Sequence, residues 1–182
     1  MVLNSKIELI MKFSELMLLP YNKETDIILI EALRPILTNF PDEVLQDFLS
    51  DHGRKDDFQL QYGSLDLDAI KWEKIMISAQ AIIDCSFYTE FKVWFEGATY
   101  RANAFDMKGW KCIDNRPDVV AYWTDCQSWK RSPILLSSKL MQCANKYYLV
   151  EGHTRVGLLY GLVRKGILPT ESKHMIWFGS IT

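Results

Sequence analysis

Residues 147–178 constrain the fold of this chain more than any other segment. Tyr147-Tyr148-Leu149-Val150 has the aromatic and aliphatic composition of a short buried strand. It runs into Glu151-Gly152-His153-Thr154-Arg155. From there Val156, Leu159, Tyr160, Val163 and Ile167 recur at i, i+3, i+4, i+7 and i+11, one face of a helix. Arg164 and Lys165 fall in the last turn, where positive charge complements the helix dipole. Gly166 reads as the C-cap, and Pro169 forbids resumption. Met175-Ile176-Trp177-Phe178 reads as the next strand, so the segment predicts a β-α-β arrangement. Pro133-Ile134-Leu135-Leu136 supplies another short strand upstream. Gly157 and Gly161 each cost roughly 1 kcal/mol in a helix interior relative to Ala. Four residues apart, they predict close packing of the helix backbone on the sheet.

The first 60 residues read as a helical extension. Ser5-Lys6-Ile7-Glu8 has the capping-box form, Leu9, Phe13, Leu16 and Met17 follow at helical spacing, and Pro20 marks the stop. Thr25 to Leu33 reads as a second helix ended by Pro35, and Asp42 to Leu49 as a third, entered at Pro41. The polar stretch 51–57 reads as a loop. In the middle, Ile70 to Ile83 predicts a helix with Ile75, Ala79 and Ile82/Ile83 on one face. Phe91-Lys92-Val93-Trp94-Phe95, the turn at Glu96-Gly97 and Thr99 to Ala104 predict an aromatic β-hairpin. Val119 to Trp123 reads as a strand. The chain therefore reads as α+β: a helical region over 1–60 and a mixed domain over 64–182, with a hairpin insertion at about 85–130.

At 182 residues and 48% hydrophobic, the chain suffices for one core and is too apolar for disorder. No apolar run approaches the roughly 20 residues of a membrane helix. The N-terminal residues lack a signal-peptide pattern, which makes a cytoplasmic protein without membrane partners the expectation. Cys85, Cys112, Cys126 and Cys143 form no C-x-x-C pair and no zinc pattern, so no metal site is expected. They read as small buried hydrophobes, with two disulfides the alternative in an exported protein. The net charge of −2 conceals an asymmetry. Residues 1–129 carry 13 Lys/Arg and 21 Asp/Glu, and residues 130–182 carry 8 and 2. The basic third predicts a local anion site or an acidic partner, or else charge complementarity inside one fold.

The site candidate lies in that basic third. A helix start presents unpaired backbone N–H groups and partial positive charge. Gly152 lets a ligand approach the backbone, His153 and Thr154 offer side-chain donors, and Arg155 adds a planar fork suited to phosphate. Together they form an anion cradle. Glu151 reads as a partner for Arg155, a ligand for a ribose hydroxyl, or a base. A purely structural reading stands beside this one: Thr154 as a helix cap and Arg155 in an ion pair.

The run Tyr148 to Arg155 followed by an apolar helix resembles the signature of the ParB/sulfiredoxin-like superfamily, a strand, a motif of D/E-G-H-x-R type and a helix. Leu65-Asp66-Leu67-Asp68-Ala69-Ile70 resembles the opening strand motif of ParB-like domains. Ser132-Pro133-Ile134-Leu135 resembles the Pro-Ile strand before the signature. The resemblance covers roughly residues 64–182. It implies that Gly152, His153, Thr154 and Arg155 bind nucleotide phosphates, with ATP or another nucleotide and magnesium as cofactors, and Glu151 and His153 as catalytic candidates. The sulfiredoxin branch has a cysteine where His153 stands, and the partition branch reads G-E-R-R, so neither activity is implied. The nearest form is the D-G-H-H-R of free-serine kinases, with Thr154 in place of its second His.

Two functions follow. The first is nucleotide or phosphate binding, with phosphoryl transfer or nuclease activity as its catalytic forms and Asp66, Asp68 and Glu151 as candidate acids. The second is a non-catalytic interaction protein, such as a toxin-immunity protein or antitoxin. DNA binding is opposed by the acidic balance of residues 1–129. A Cys143–His153 nucleophile pair rests on residue type alone.

Overall fold

The computed structural model describes residues 11–181. The capping box at Ser5 to Glu8, with Leu9, lies outside the described residues. The chain divides into two compact units, Met1–Ile70 and Lys71–Thr182.

The first unit is built of short elements. A 3₁₀ helix spans Phe13–Leu18, with Glu15 accepting from the Lys12 N–H at 2.7 Å, and it stops before Pro20. A two-stranded ribbon follows, β1 (Tyr21–Asn22) and β2 (Ile27–Ile28). Then come α1 (Ile30–Leu33), α2 (Asp42–Val44) continuing as a π-helical segment over Leu45–Ser50, and α3 (Asp56–Tyr62). The helix expected over Thr25–Leu33 is thus confined to its last four residues, with turn and ribbon before them. Asn22 Oδ1 accepts from the N–H groups of Glu24 and Thr25, an Asx turn that competes with helix. The third expected helix is present with Pro41 as its N-cap. The rings of Phe13, Phe48, Phe58 and Tyr62 form the core of this unit, with centroids 5.3 to 6.3 Å apart.

The second unit is an α+β fold on a five-stranded mixed sheet. Its elements are β3 (Lys71–Ser78), α4 (Ala79–Ile83), β4 (Ser86–Phe87), α5 (Lys92–Arg101), α6 (Phe105–Lys108), α7 (Pro117–Cys126), β5 (Ile134–Ser137), α8 (Ser138–Met141), β6 (Tyr147–Glu151), α9 (His153–Arg164) and β7 (Lys173–Ser180). The strand order is β3-β7-β5-β6-β4. β3 runs antiparallel to β7, β5 parallel to β7 and antiparallel to β6, and β4 parallel to β6. The strand, turn, helix and strand expected over 147–178 are present. Yet β6 and β7 are not neighbours: β5 lies between them.

Three expected elements change type. Residues 70–83 are not one helix. β3 pairs along its whole length with β7, and only after Ser78, whose Oγ caps Ala81 N at 3.3 Å, does α4 begin. The aromatic hairpin is instead the helix α5. Phe91, Ala98 and Ala102 are buried and Phe95 half-buried, a helical period of i, i+4, i+7 and i+11 that outweighs the strand propensity of Val93 and Trp94. The strand expected at Val119–Trp123 is the helix α7, opened by Pro117 in its first turn and closed by Gln127 at φ 49°.

α9 is buried on two sides. Val156, Leu159 and Leu162 join Leu135, Leu149 and Ile176 of the sheet in one core. The other side meets α5. A Cβ on Gly161 would lie 2.6 Å from Ala102 Cβ and 2.7 Å from the Thr99 carbonyl, and one on Gly157 would strike the Phe95 carbonyl. Thr99 Oγ1 lies 2.9 Å from the Phe95 carbonyl and 3.0 Å from the Gly157 carbonyl, so its one proton is shared between α5 and α9. The two glycines therefore clear a path for a second helix, not for the sheet. α9 ends in a Schellman motif: Gly166, at φ 72°, donates to Val163, and Ile167 donates to Leu162. Part of the basic excess of residues 130–182 is answered inside the unit, by Lys130–Asp118 at 2.9 Å and Lys165–Asp106 at 2.7 Å. Among the described residues no helix is long and apolar enough to cross a membrane.

Candidate functional site

The turn between β6 and α9 is set by Gly152, which sits at φ 99° and is the N-cap of α9. L-residues with a Cβ rarely adopt this conformation. A Cβ there would also lie 2.6 Å from Pro133 Cβ. Pro133, the residue before β5, accepts from the Trp177 N–H at 3.0 Å, so the glycine is wedged where three strands come together. Gly152→Ala is expected to lower stability by about 1–2 kcal/mol for the backbone alone, with the Pro133 contact adding to it. A reduced urea midpoint at unchanged m-value would show this.

The first backbone bond into α9 runs from Val156 N to the Gly152 carbonyl at 2.9 Å. Arg155 lies under this turn. Its guanidinium pairs with the Glu151 carboxylate one turn back and donates to the Arg131 carbonyl at 3.1 Å. Both side chains of the pair are about one-fifth exposed. Of the roles open to Glu151, the geometry contains the partner of Arg155. Thr154 is exposed and makes no side-chain cap, since the cap position belongs to Gly152. His153 is buried, its ring edge-on to Phe91 at 4.8 Å and to Phe87 at 5.8 Å. Gly152, Thr154 and Arg155 therefore gather at the turn, whereas the His153 ring points into an aromatic notch. The sequence around His153 carries no mark of Phe87 and Phe91 as its neighbours. The helical spacing of Phe91, Phe95, Ala98 and Ala102 was the signal that could have brought this segment alongside α9.

Asp66 and Asp68 belong to the first unit. Asp66 Oδ1 accepts from the N–H groups of Asp68 and Ala69 in a tight turn, and Asp68 Oδ2 accepts from Met11 N at 2.7 Å. Cys143 and His153 lie beyond opposite ends of β6, and the Cys143 thiol faces the Asn145 carbonyl. All four cysteines are free, and burial pushes the Cys85 thiol up to about 12, out of nucleophilic range. Among the described residues no group of three His, Cys, Asp or Glu side chains could hold a metal ion.

Nothing in the sequence marks the polar chain that runs through the buried His174. Ser128 Oγ lies 3.0 Å from His174 Nδ1, Ser172 Oγ lies 2.9 Å from Nε2, and Ser172 Oγ donates onward to the Pro169 carbonyl at 2.7 Å. Because the Ser172 proton goes to Pro169, the Nε2–H donates to Ser172 and Nδ1 accepts from Ser128. This is a satisfied neutral imidazole. Trp129 packs against the ring at 5.0 Å and donates its Nε1–H to the Met175 carbonyl.

Comparison of the chain with protein-family models, curated proteins and solved structures finds no match.

Proposed function

We propose that this chain is a nucleotide- or phosphate-binding protein of the ParB/sulfiredoxin-like type, with the turn Glu151 to Arg155 as its site. The observation that carries the reading is the Gly152 turn itself. A left-handed glycine ends β6 and opens a helix of 12 residues, with a partly exposed arginine fork beneath it. Helix N-termini of this form accept anions through backbone N–H groups and the helix dipole. Thr154, exposed in the first turn, supplies a hydroxyl donor. Glu151 holds Arg155 in place, and an incoming phosphate competes for the same fork.

The residues fit a phosphate and do not fit a protein-held magnesium ion, so magnesium enters this reading only as part of a nucleotide complex. No phosphoryl-transfer step is assigned to these residues: Glu151 is engaged by Arg155, and the His153 ring is enclosed by Phe87 and Phe91.

Calorimetry with ATP and CTP, with and without magnesium, tests the proposal. Binding is expected in the wild type, and Arg155→Ala is expected to weaken it by about tenfold or more, the worth of one charge-assisted contact. Arg155→Lys, which keeps the charge and loses the fork, is expected to fall between. Equal binding by the wild type and Arg155→Ala would sink the reading.

A second reading, an interaction protein such as a toxin-immunity protein or antitoxin, is favoured by one observation. Val93, Trp94 and Tyr100 on α5 and Met107 on α6 are 65–84% exposed, an unusual density of large apolar side chains. Co-purification of a partner that Trp94→Ala releases would promote it over the first.

A further inference from the structure

Away from the turn, a cavity of about 560 Å³ opens where the end of α5, α6 and the following segment to Asn115 meet. That volume lies within the range of small-molecule sites. Three exposed cations line it, Arg101, Lys108 and Lys111, and Tyr100 stands at its edge with 76% of its surface exposed. None of the three cations has an ion-pair or hydrogen-bond partner among the described residues. Lys92, Lys130 and Lys165 of the same unit are paired, with Glu96, Asp118 and Asp106; among the described residues Lys71, Lys139, Arg164 and Lys173 are not, so what distinguishes the three is that they share one concavity. The carboxylate on the lining, Asp114, is taken by a fork from Arg116 with contacts of 3.0 and 2.7 Å. That fork holds the Asp114 carboxyl down at about 2, so it stays ionised and engaged. The fields of Arg101 and Lys108 also converge on the Cys112 thiol in the wall, opposing the upward push of its burial.

Three like charges around one concavity raise its potential and draw in anions. One phosphate monoanion leaves such a set under-neutralised, whereas a chain of phosphates matches it. We propose that this cavity is a polyphosphate site, with Arg101, Lys108 and Lys111 on the phosphates and Tyr100 against a planar group attached to them. The site is independent of the Gly152 turn. Its chemistry suits a free nucleoside polyphosphate and also the backbone of a single strand whose bases stack on Tyr100.

The test is calorimetry on the full chain at about 50 mM salt, where phosphate contacts are strong, with pyrophosphate, ATP and a short single-stranded DNA as probes. Two pyrophosphates per chain are expected. The Arg101→Gln/Lys108→Gln/Lys111→Gln variant is expected to bind one, with affinity at the lost site reduced at least about tenfold. Arg155→Gln is expected to lose the other and keep the cavity. All three cavity side chains are exposed, so the triple variant should melt as the wild type does; Lys111→Glu alone gives the same readout from one substitution. A wild-type isotherm from both the triple variant and Lys111→Glu would overturn the cavity proposal while leaving the turn reading intact. A wild-type isotherm from Arg155→Gln, with binding lost in the triple variant, would do the reverse. Tighter binding of the DNA than of ATP, abolished in the triple variant, would identify the strand as the source of the phosphates. The opposite order would identify the free nucleotide.

Discussion

Acidification from pH 6.5 to pH 4 is expected to cost the fold about 3 kcal/mol through one side chain, His174. Its ring is 1% exposed, and burial pushes its pKa down from 6.5 to about 4. The direction follows from proton uptake. Above pH 6.5 the ring is neutral in both the folded and unfolded chains, and its contribution does not vary. Between pH 6.5 and pH 4 the unfolded chain takes up a proton that the folded chain refuses, so stability falls as pH falls. Below pH 4 both forms are protonated and the loss is complete. Protonation would also put a hydrogen on Nδ1, where the Ser128 hydroxyl now donates. Urea midpoints between pH 7 and pH 4.5 measure the effect, and Trp129, in contact with the ring, is a built-in fluorophore. His174→Gln is expected to be less stable at pH 7 and to show a flatter acid limb. His52, also lowered by burial, acts in the same direction in the first unit, so His52→Gln serves as the paired control. An acid limb of unchanged steepness in His174→Gln would remove His174 from the account.

Replacing the glycines between α5 and α9 is expected to be at least as damaging. Ala at Gly157 or Gly161 gains roughly 1 kcal/mol of helix propensity. Against this, a methyl would meet the Phe95 carbonyl at one position and Ala102 Cβ and the Thr99 carbonyl at the other. Two of those three are backbone oxygens that move only with α5 itself. Overpacking of this kind costs about 1–3 kcal/mol per site, and more where the backbone cannot yield. The double variant Gly157→Ala/Gly161→Ala is therefore expected to lose stability by about 3 kcal/mol net, read as a fall in melting temperature. A rise in melting temperature would mean that the helices separate at little cost. Thr99→Val, which removes the hydroxyl shared between the Phe95 and Gly157 carbonyls, is expected to cost about 1 kcal/mol.

The legible parts of this fold were those whose pattern is local. Tyr147–Glu151 and Lys173–Ser180 are strands, and Gly166 and Pro169 end the helix between them, as residue type and spacing predict. The gathering of Gly152, Thr154 and Arg155 at one turn was legible for the same reason, since residues within one helical turn are neighbours in any context. The misread parts were those whose conformation depends on a distant partner. Phe91 to Ala104 carries strand-forming side chains, but its small residues Ala98 and Ala102 fit the gap left by Gly157 and Gly161, and that match makes it a helix. Lys71–Ser78 looks like the front of a helix until β7 supplies eight paired positions.

Sequence alone determined that this chain has an apolar core, that a strand–glycine–helix turn stands at 151–155, and that the basic third holds that turn. These follow from composition and from contacts within a few residues, which need no knowledge of the rest of the chain. Tertiary structure decided the remainder. It brought the Arg131 carbonyl to Arg155, turned the His153 ring into a notch formed by Phe87 and Phe91, and set Ser128 against a buried His174. The reason is physical: charge, burial and hydrogen-bond satisfaction are set by what lies across a few ångströms of space, and in this fold those neighbours come from segments tens of residues apart.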